Sequence, residues 1–247
     1  MSQSEGLPHV GNTNTGGGDM LTGSLSSLMA AAHELKSPLV LMRQLSLAAG
    51  DTSYSEQERA RFLTQLTLIA DRGLRLTSDL TRTVRLEDSL LATEPINAQQ
   101  ICEAIVHEMT PLYEQYGRVI TLNTRRSCPI VLAHRELLSS VIYHFADNAL
   151  HYGDDTGPVR VSLRARPSRG SVQISVRDFG PALSLRDWRE ARAKARALPT
   201  RPQASGLGLT IADQFSRAMG GSIGLTRHRD GATFYIELPI SEQLSLL

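Results

Sequence analysis

LSSLMAAAHELKSPLVLM (residues 25–42) places Leu25, Leu28, Ala32, Leu35, Leu39 and Met42 at alternating steps of three and four. That spacing draws an apolar seam along one side of an α-helix, the pattern of a bundle rather than of a lone surface helix. The pattern breaks at Gly50-Asp51. Ser55 and Glu58 then stand in capping-box spacing, which marks a second helix start. Phe62, Leu66, Ile69, Gly73, Leu76 and Leu80 carry the seam onward. Two long helices with a short connection predict an antiparallel hairpin. Alone, such a hairpin exposes a whole apolar stripe, so pairing with a second copy into a four-helix bundle is expected.

On the N-terminal side, residues 1–23 are rich in Gly, Ser, Asn and Thr, including Gly16-Gly17-Gly18. Such a stretch buries too little apolar surface to offset its ordering entropy, and a disordered tail is expected there. The hairpin then occupies 24–92. Beyond Glu94-Pro95 the texture becomes mixed, and 93–247 read as one α+β domain. A helix is expected from Asn97, a plausible N-cap, to Tyr116, and another from about Arg135 to His151. Strands are expected at Val119–Leu122, Ile130–Leu132, Val159–Ala165 and Val172–Val176, the last two turned at Ser168–Gly170. A polar stretch from Phe179 to Ser205 precedes a helix near Gly208 that ends at Gly220-Gly221. Ser222–Thr226 and Ala232–Leu238 complete a hairpin turned at Asp230-Gly231. This order predicts helices on one face of a mostly antiparallel sheet.

Composition narrows the function. The 247 residues carry 26 Lys+Arg against 25 Asp+Glu, a net charge of +1, which argues against a bulk nucleic-acid surface built on many phosphate contacts. No apolar run approaches the roughly 18–20 residues that span a bilayer, and no signal-peptide core opens the chain. Cys102 and Cys128, the only cysteines, are too few for a disulfide framework or a zinc site. A soluble, cytoplasmic protein is expected.

Four short clusters carry chemistry. In His33-Glu34-Leu35-Lys36-Ser37-Pro38-Leu39, His33 lies one step of about 100° past Ala32, off the seam and toward solvent. Glu34 is placed to hold or accept the ring's proton, leaving Nε2 as a nucleophile. Pro38 should bend the helix. Taken alone, the stretch also fits an exposed histidine beside a proline kink. Asp147-Asn148-Ala149-Leu150-His151-Tyr152 ends a helix; the Asn148 carboxamide is a hard oxygen donor suited to Mg²⁺, His151 can meet phosphate, and Tyr152 can pack along a nucleotide. A polar helix end capped by Gly153 is its ordinary reading. Asp178-Phe179-Gly180-Pro181 follows a strand, where a fixed carboxylate can accept from an adenine amino group and Gly180 permits close backbone approach. By itself it reads equally as a turn. Gly206-Leu207-Gly208-Leu209 opens a helix whose backbone N–H groups can surround phosphates, without the spacing of a P-loop or Rossmann turn; a glycine turn is the plainer alternative.

In this order the four clusters resemble the H-, N-, G1- and G2-boxes of sensor histidine kinases of two-component signalling. The resemblance spans Leu25 to Leu238. It implies a dimerisation and phosphotransfer hairpin forming a dimeric four-helix bundle, followed by a Bergerat-type (GHKL) α+β ATP-binding domain. It further implies ATP and Mg²⁺ as cofactors, with Asp178 on adenine, Asn148 on the metal, and Gly180, Gly206 and Gly208 lining lid and phosphates. The basic stretch containing Trp188 becomes an ATP lid, with Trp188 docked on the domain and Arg201 reaching the γ-phosphate. His33 is the phosphoacceptor, Glu34 its base, and Ser37 positions water for dephosphorylating the partner, a response-regulator receiver domain. The departures are His144 where the N-box has a second Asn, His151 where it has Lys or Arg, Ala182 where G1 has Gly, and Ser37 for Thr or Asn. They motivate the competing expectation of an inactive phosphotransfer or scaffold protein.

Overall fold

The computed structural model describes residues 17–86, 92–124, 128–153, 157–180, 188 and 207–241; the side chains of residues 17–31, 33, 34 and 85 lie outside that description. Helix α1 (Gly17–Gly50) and helix α2 (Glu56–Leu86) form the antiparallel hairpin. Ser55 starts α2 as the spacing predicts: its amide donates to Glu58 Oε2 (2.8 Å), and the Glu58 amide donates back to Ser55 Oγ (3.3 Å). Arg59 Nε donates to Ala49 O (2.7 Å) and fixes the pairing of the two helices near the turn. Residues 17–23, expected in the tail, are instead helical, because extending an existing helix is far less costly than nucleating one. The rest of the expected tail, 1–16, lies outside the described residues. Pro38 sits inside an unbroken α1.

The hairpin seam differs in detail from the sequence reading. On α2, Phe62, Leu66, Ile69, Gly73 and Leu80 are half-buried and Leu76 is buried. On α1 the side facing inward runs through Leu35, Pro38, Met42, Leu45 and Ala49, while Ala32 and Leu39 are exposed, Leu39 by 60%. The α1 helix carries more apolar residues than α2 alone can cover, so one stripe turns inward and a neighbouring one, with Leu39, Val40 and Leu47, turns outward. Leu25 and Leu28 lie outside the described side chains.

The second part contains β1 (Glu94–Ile96), α3 (Ala98–Gln115), β2 (Ile120–Asn123), β3 (Val131–Ala133), α4 (Arg135–Tyr152), β4 (Val159–Arg166), β5 (Ser171–Phe179), α5 (Leu207–Ala218), β6 (Ser222–His228) and β7 (Gly231–Pro239). Asn97 caps α3, its side chain accepting from Gln99 and Gln100 N–H. The sheet order is β2-β4-β5-β7-β6, antiparallel except for the parallel β2–β4 pair. Strand β1, which the sequence reading lacks, pairs antiparallel with β3 as a small separate sheet. Alternation sets the core: Val172, Ile174, Val176 and Asp178 of β5 face inward, in register with Leu238, Ile236, Phe234 and Ala232 of β7. Phe145 of α4 stacks on Phe234 with ring centroids 5.8 Å apart. At the end of α5, Gly220 (φ 69°) takes the left-handed conformation of a Schellman cap, and Gly221 N–H donates to Ser216 O (2.8 Å). Among the described residues no helix is long and apolar enough to cross a membrane.

Candidate functional site

Three of the four clusters converge around α4. Its C-terminal end is pinned from below: buried Arg118 donates to the carbonyls of Ala149 (2.8 Å) and Leu150 (2.5 Å), and the Tyr113 hydroxyl donates to Ala146 O (2.6 Å). A cation on those carbonyls complements the negative end of the helix. The same end abuts β5, since a Cβ on Gly153 would come within 2.9 Å of Phe179 O. Asp178, 7% exposed, ends the inward-facing row of β5, and its Oδ1 accepts the Ala232 amide (2.7 Å). Gly231 (φ 142°) makes this approach possible, because a side chain there would collide with Asp178 O and Phe179 Cα. Gly180 (φ 145°) turns the chain away immediately afterwards.

On the other side, α4 meets the start of α5. A Cβ on Gly208 would lie 3.1 Å from His144 Nδ1, so glycine is what lets the two helices close together. Leu207 and Leu209 are buried, so what they can offer a ligand is backbone N–H rather than side chain. Trp188 is buried against Phe234, ring centroids 5.6 Å apart, as expected of a residue docked on the domain. Arg201, Gly206 and Ala182 lie outside the described residues, as do the side chains of His33 and Glu34; both of these sit in α1. Ser37 is exposed on the same helix.

At the C-terminal end of α4, neighbouring side chains have different roles. Asn148 is half-buried, and its side chain makes no hydrogen bond among the described residues, which leaves its carboxamide oxygen available. Asp147 is buried and paired with Arg72 of α2 (Nη2 to Oδ2, 2.9 Å). Burial alone pushes its carboxyl up, but the Arg72 guanidinium and His151 outweigh that and hold it at about 2. His151 Nε2 lies 2.9 Å from Arg72 Nη1 and 3.4 Å from Asp147 Oδ1, so the three side chains form one cluster. Tyr116 packs edge-on against the same ring at 5.8 Å.

The sequence reading missed a further set of residues. Arg72, Arg75, Asp79 and Arg82 recur on one side of α2 at helical spacing, and each meets the second domain. Arg75 pairs with Glu108 of α3 and lies 4.1 Å over the Tyr143 ring. Asp79 has no solvent exposure and joins His144 Nε2 (3.0 Å) and Arg82 (3.1 Å). Burial pushes the Asp79 carboxyl up, and the His144 hydrogen bond with the nearby cations brings it below its ordinary value. Arg82 also reaches Glu136 (3.0 Å). Charged residues every three or four positions were the available signal.

Residues 133–242 match the model described as "Histidine kinase-, DNA gyrase B-, and HSP90-like ATPase". The chain is 27% identical over 234 residues to the adaptive-response sensory kinase SasA of Rippkaea orientalis, covering 86% of this chain and 57% of that one. It is 26% identical over 224 residues to the sensor histidine kinase WalK of Bacillus subtilis, covering 86% and 36%. Over most of its length the chain is thus similar to sensor histidine kinases, and residues 133–242 match the ATPase family. It spans between about a third and three-fifths of the length of these two relatives. Its fold is similar to the Acinetobacter baumannii histidine kinase AdeS, with a TM-score of 0.59 at 18% identity over 85% of this chain and 98% of that one. It is also similar to full-length ShkA, solved in complex with AMPPNP, with a TM-score of 0.56 at 25% identity over 86% and 46%.

Proposed function

We propose that this chain is an ATP-dependent protein-histidine kinase that phosphorylates itself on His33 and passes the phosphoryl group to an aspartate of a response-regulator receiver domain. The observation that carries this reading is the convergence on α4 of Asn148, Asp178 with Gly180, and the Gly208 turn, within a domain that matches the ATPase family. The AMPPNP bound in ShkA supports a nucleotide as the ligand. In this reading Asp178 accepts from the adenine amino group, while backbone N–H groups at the start of α5 meet the phosphates. The free carboxamide of Asn148 and the buried Asp147 Oδ1, which lacks a hydrogen bond among the described residues, fit a hard cation. Mg²⁺ there would neutralise phosphate charge. Among the described residues no cluster of three His, Cys, Asp or Glu offers a metal cage, in keeping with an ion held mainly by phosphate and water.

His33 Nε2 forms the bond to the γ-phosphorus as the bond to the β,γ-bridging oxygen breaks and ADP departs; the Nδ1 proton passes to Glu34. Positioning and charge neutralisation supply most of the acceleration in such transfers. Ser37, exposed within a turn of His33, is assigned to positioning water in the reverse, dephosphorylating reaction. A division at residue 92 separates the hairpin from the ATP-binding domain. The outward stripe with Leu39 and Leu47 supports a homodimer through the hairpin. The expectation of an inactive scaffold loses part of its motive, because His144 has a defined partner in Asp79.

Incubation with γ-labelled ATP tests the proposal. An acid-labile, base-stable adduct that disappears in His33→Gln is expected. Label retained in that variant excludes the assignment.

A further inference from the structure

We propose that the phosphoryl group is delivered within one chain, from the ATP-binding domain to the His33 of its own hairpin, and that the polar strip on α2 is the device that holds the two in register. This rests on the kinase reading above and goes beyond it, since that reading is silent on which protomer's histidine receives the group.

The hairpin turn sets the relative level of the two helices. The contact between Arg59 and Ala49 fixes the level of α1 against α2. Counting equally from it, back along α1 and forward along α2, brings His33 level with Arg75, because both helices rise by the same amount per residue. Arg75 is the residue that lies over Tyr143 and pairs with Glu108. One turn nearer the hairpin connection, Arg72 holds Asp147 and His151, which flank Asn148. The metal and phosphate end of the candidate site is therefore docked within about one helical turn, some 5 Å along the axis, of the phosphoacceptor's level.

Two further contacts select the chain's own α1. Leu35, two residues beyond His33, packs against the buried cluster that joins Leu76 of α2 to the core of the ATP-binding domain, and α5, which begins at the G2 glycines, touches α1. A partner's acceptor helix would have to displace this one to reach the same place. The strip is also specific in register. Along α4, Arg72 meets Asp147 and His151, Arg75 and Asp79 meet the adjacent Tyr143 and His144, and Arg82 meets Glu136, a run opposite to that of α2; Arg75 also pairs with Glu108 of α3. Sliding α4 by one turn would leave Asp79 buried without His144, a costly outcome for a carboxylate with no solvent exposure. His144, where the family pattern has asparagine, thus acts as a positioning residue: it ties Asp79 of the hairpin to the Gly208 turn beside the phosphates.

Two full-length chains of different size, His33→Gln and Asn148→Asp, are co-expressed, co-purified through a tag on one of them, and incubated with γ-labelled ATP beside the unmodified protein. The unmodified chain should label, and the mixed pair should leave the Asn148→Asp chain unlabelled. Label on that chain means transfer between protomers and overturns the proposal. Failure of the unmodified chain to label removes instead the kinase reading on which it rests. If the chains do not co-purify, labelling of the unmodified protein per chain must be independent of its concentration; a rate that rises with concentration overturns delivery within one chain. For the strip, Asp79→Asn and, separately, Arg75→Met should reduce labelling at least about tenfold, ~1.4 kcal/mol in the barrier, while binding of a fluorescent ATP analogue is retained. Labelling that is unchanged or raised in both variants, with the analogue still bound, overturns the strip's role.

Discussion

In the sheet domain Val172, Val176, Ile236 and Leu238 are completely buried, whereas along the hairpin Leu39, Leu47, Leu63, Leu74 and Val84 leave 56% to 66% of their surface exposed. The first region closes its core within one chain, by layering three helices on a sheet whose strands alternate cleanly. The second has a single inward seam and leaves its other apolar residues to be covered from outside. A layered domain can be a finished object at any concentration; a helical pair of this kind cannot.

The comparison breaks first at the core of the sheet domain. Phe145→Ala removes the ring stacked on Phe234 and should cost about 3–5 kcal/mol, read from the urea midpoint of the domain's unfolding. A loss under ~1 kcal/mol would mean that the core is looser than its burial indicates. Next comes the junction of the two regions. Asp79→Ala leaves Arg82 and His144 without their buried carboxylate and should cost about 3 kcal/mol, and a double-mutant cycle with His144→Ala should recover a large part of it as coupling.

The junction also has an acid limit. Asp147 is held at about 2 against an ordinary 3.8, so its contribution is complete above pH ~4 and disappears as pH falls toward 2. Unfolding midpoints measured between pH 5 and 2 (roughly the window set by those two values) should fall less steeply in Asp147→Asn than in the unmodified chain. Within the sheet domain, Asn97→Ala should cost only ~1 kcal/mol, the value of one helix cap, by thermal unfolding. The smallest effect belongs to the hairpin's outward face. Leu74→Ser should change the stability of the dilute chain by no more than ~0.5 kcal/mol, yet lower the sedimentation coefficient at high concentration. Equal sedimentation of the two proteins would show that this face makes no contact between copies.

Most of the fold was legible because its signals are local. Asn97 announces α3 by its side-chain chemistry, Ser55 and Glu58 announce α2, and the alternation of β5 and β7 gives both their existence and their inward faces. Strand β1 was not legible: three residues containing Pro95 give no alternation to read, and only pairing with β3 makes them a strand. Leu39 misled because apolar spacing alone cannot say which of two adjacent stripes faces the chain's own partner helix. At the site, Asn148, Asp178 and Gly208 could be read from their motifs. The α2 strip could not, since Arg72 and Asp79 gain meaning only from residues of α4 more than 60 positions away. His144 looked like a defect for the same reason.

Trp188 is the only tryptophan in the chain, and it lies 6% exposed against Phe234. The protein therefore carries a single indole, and it is packed on the core of the sheet domain. Any motion that lifts the indole into water shifts its emission to the red, so a change in this packing can be followed by light, in unlabelled protein, as nucleotide is added.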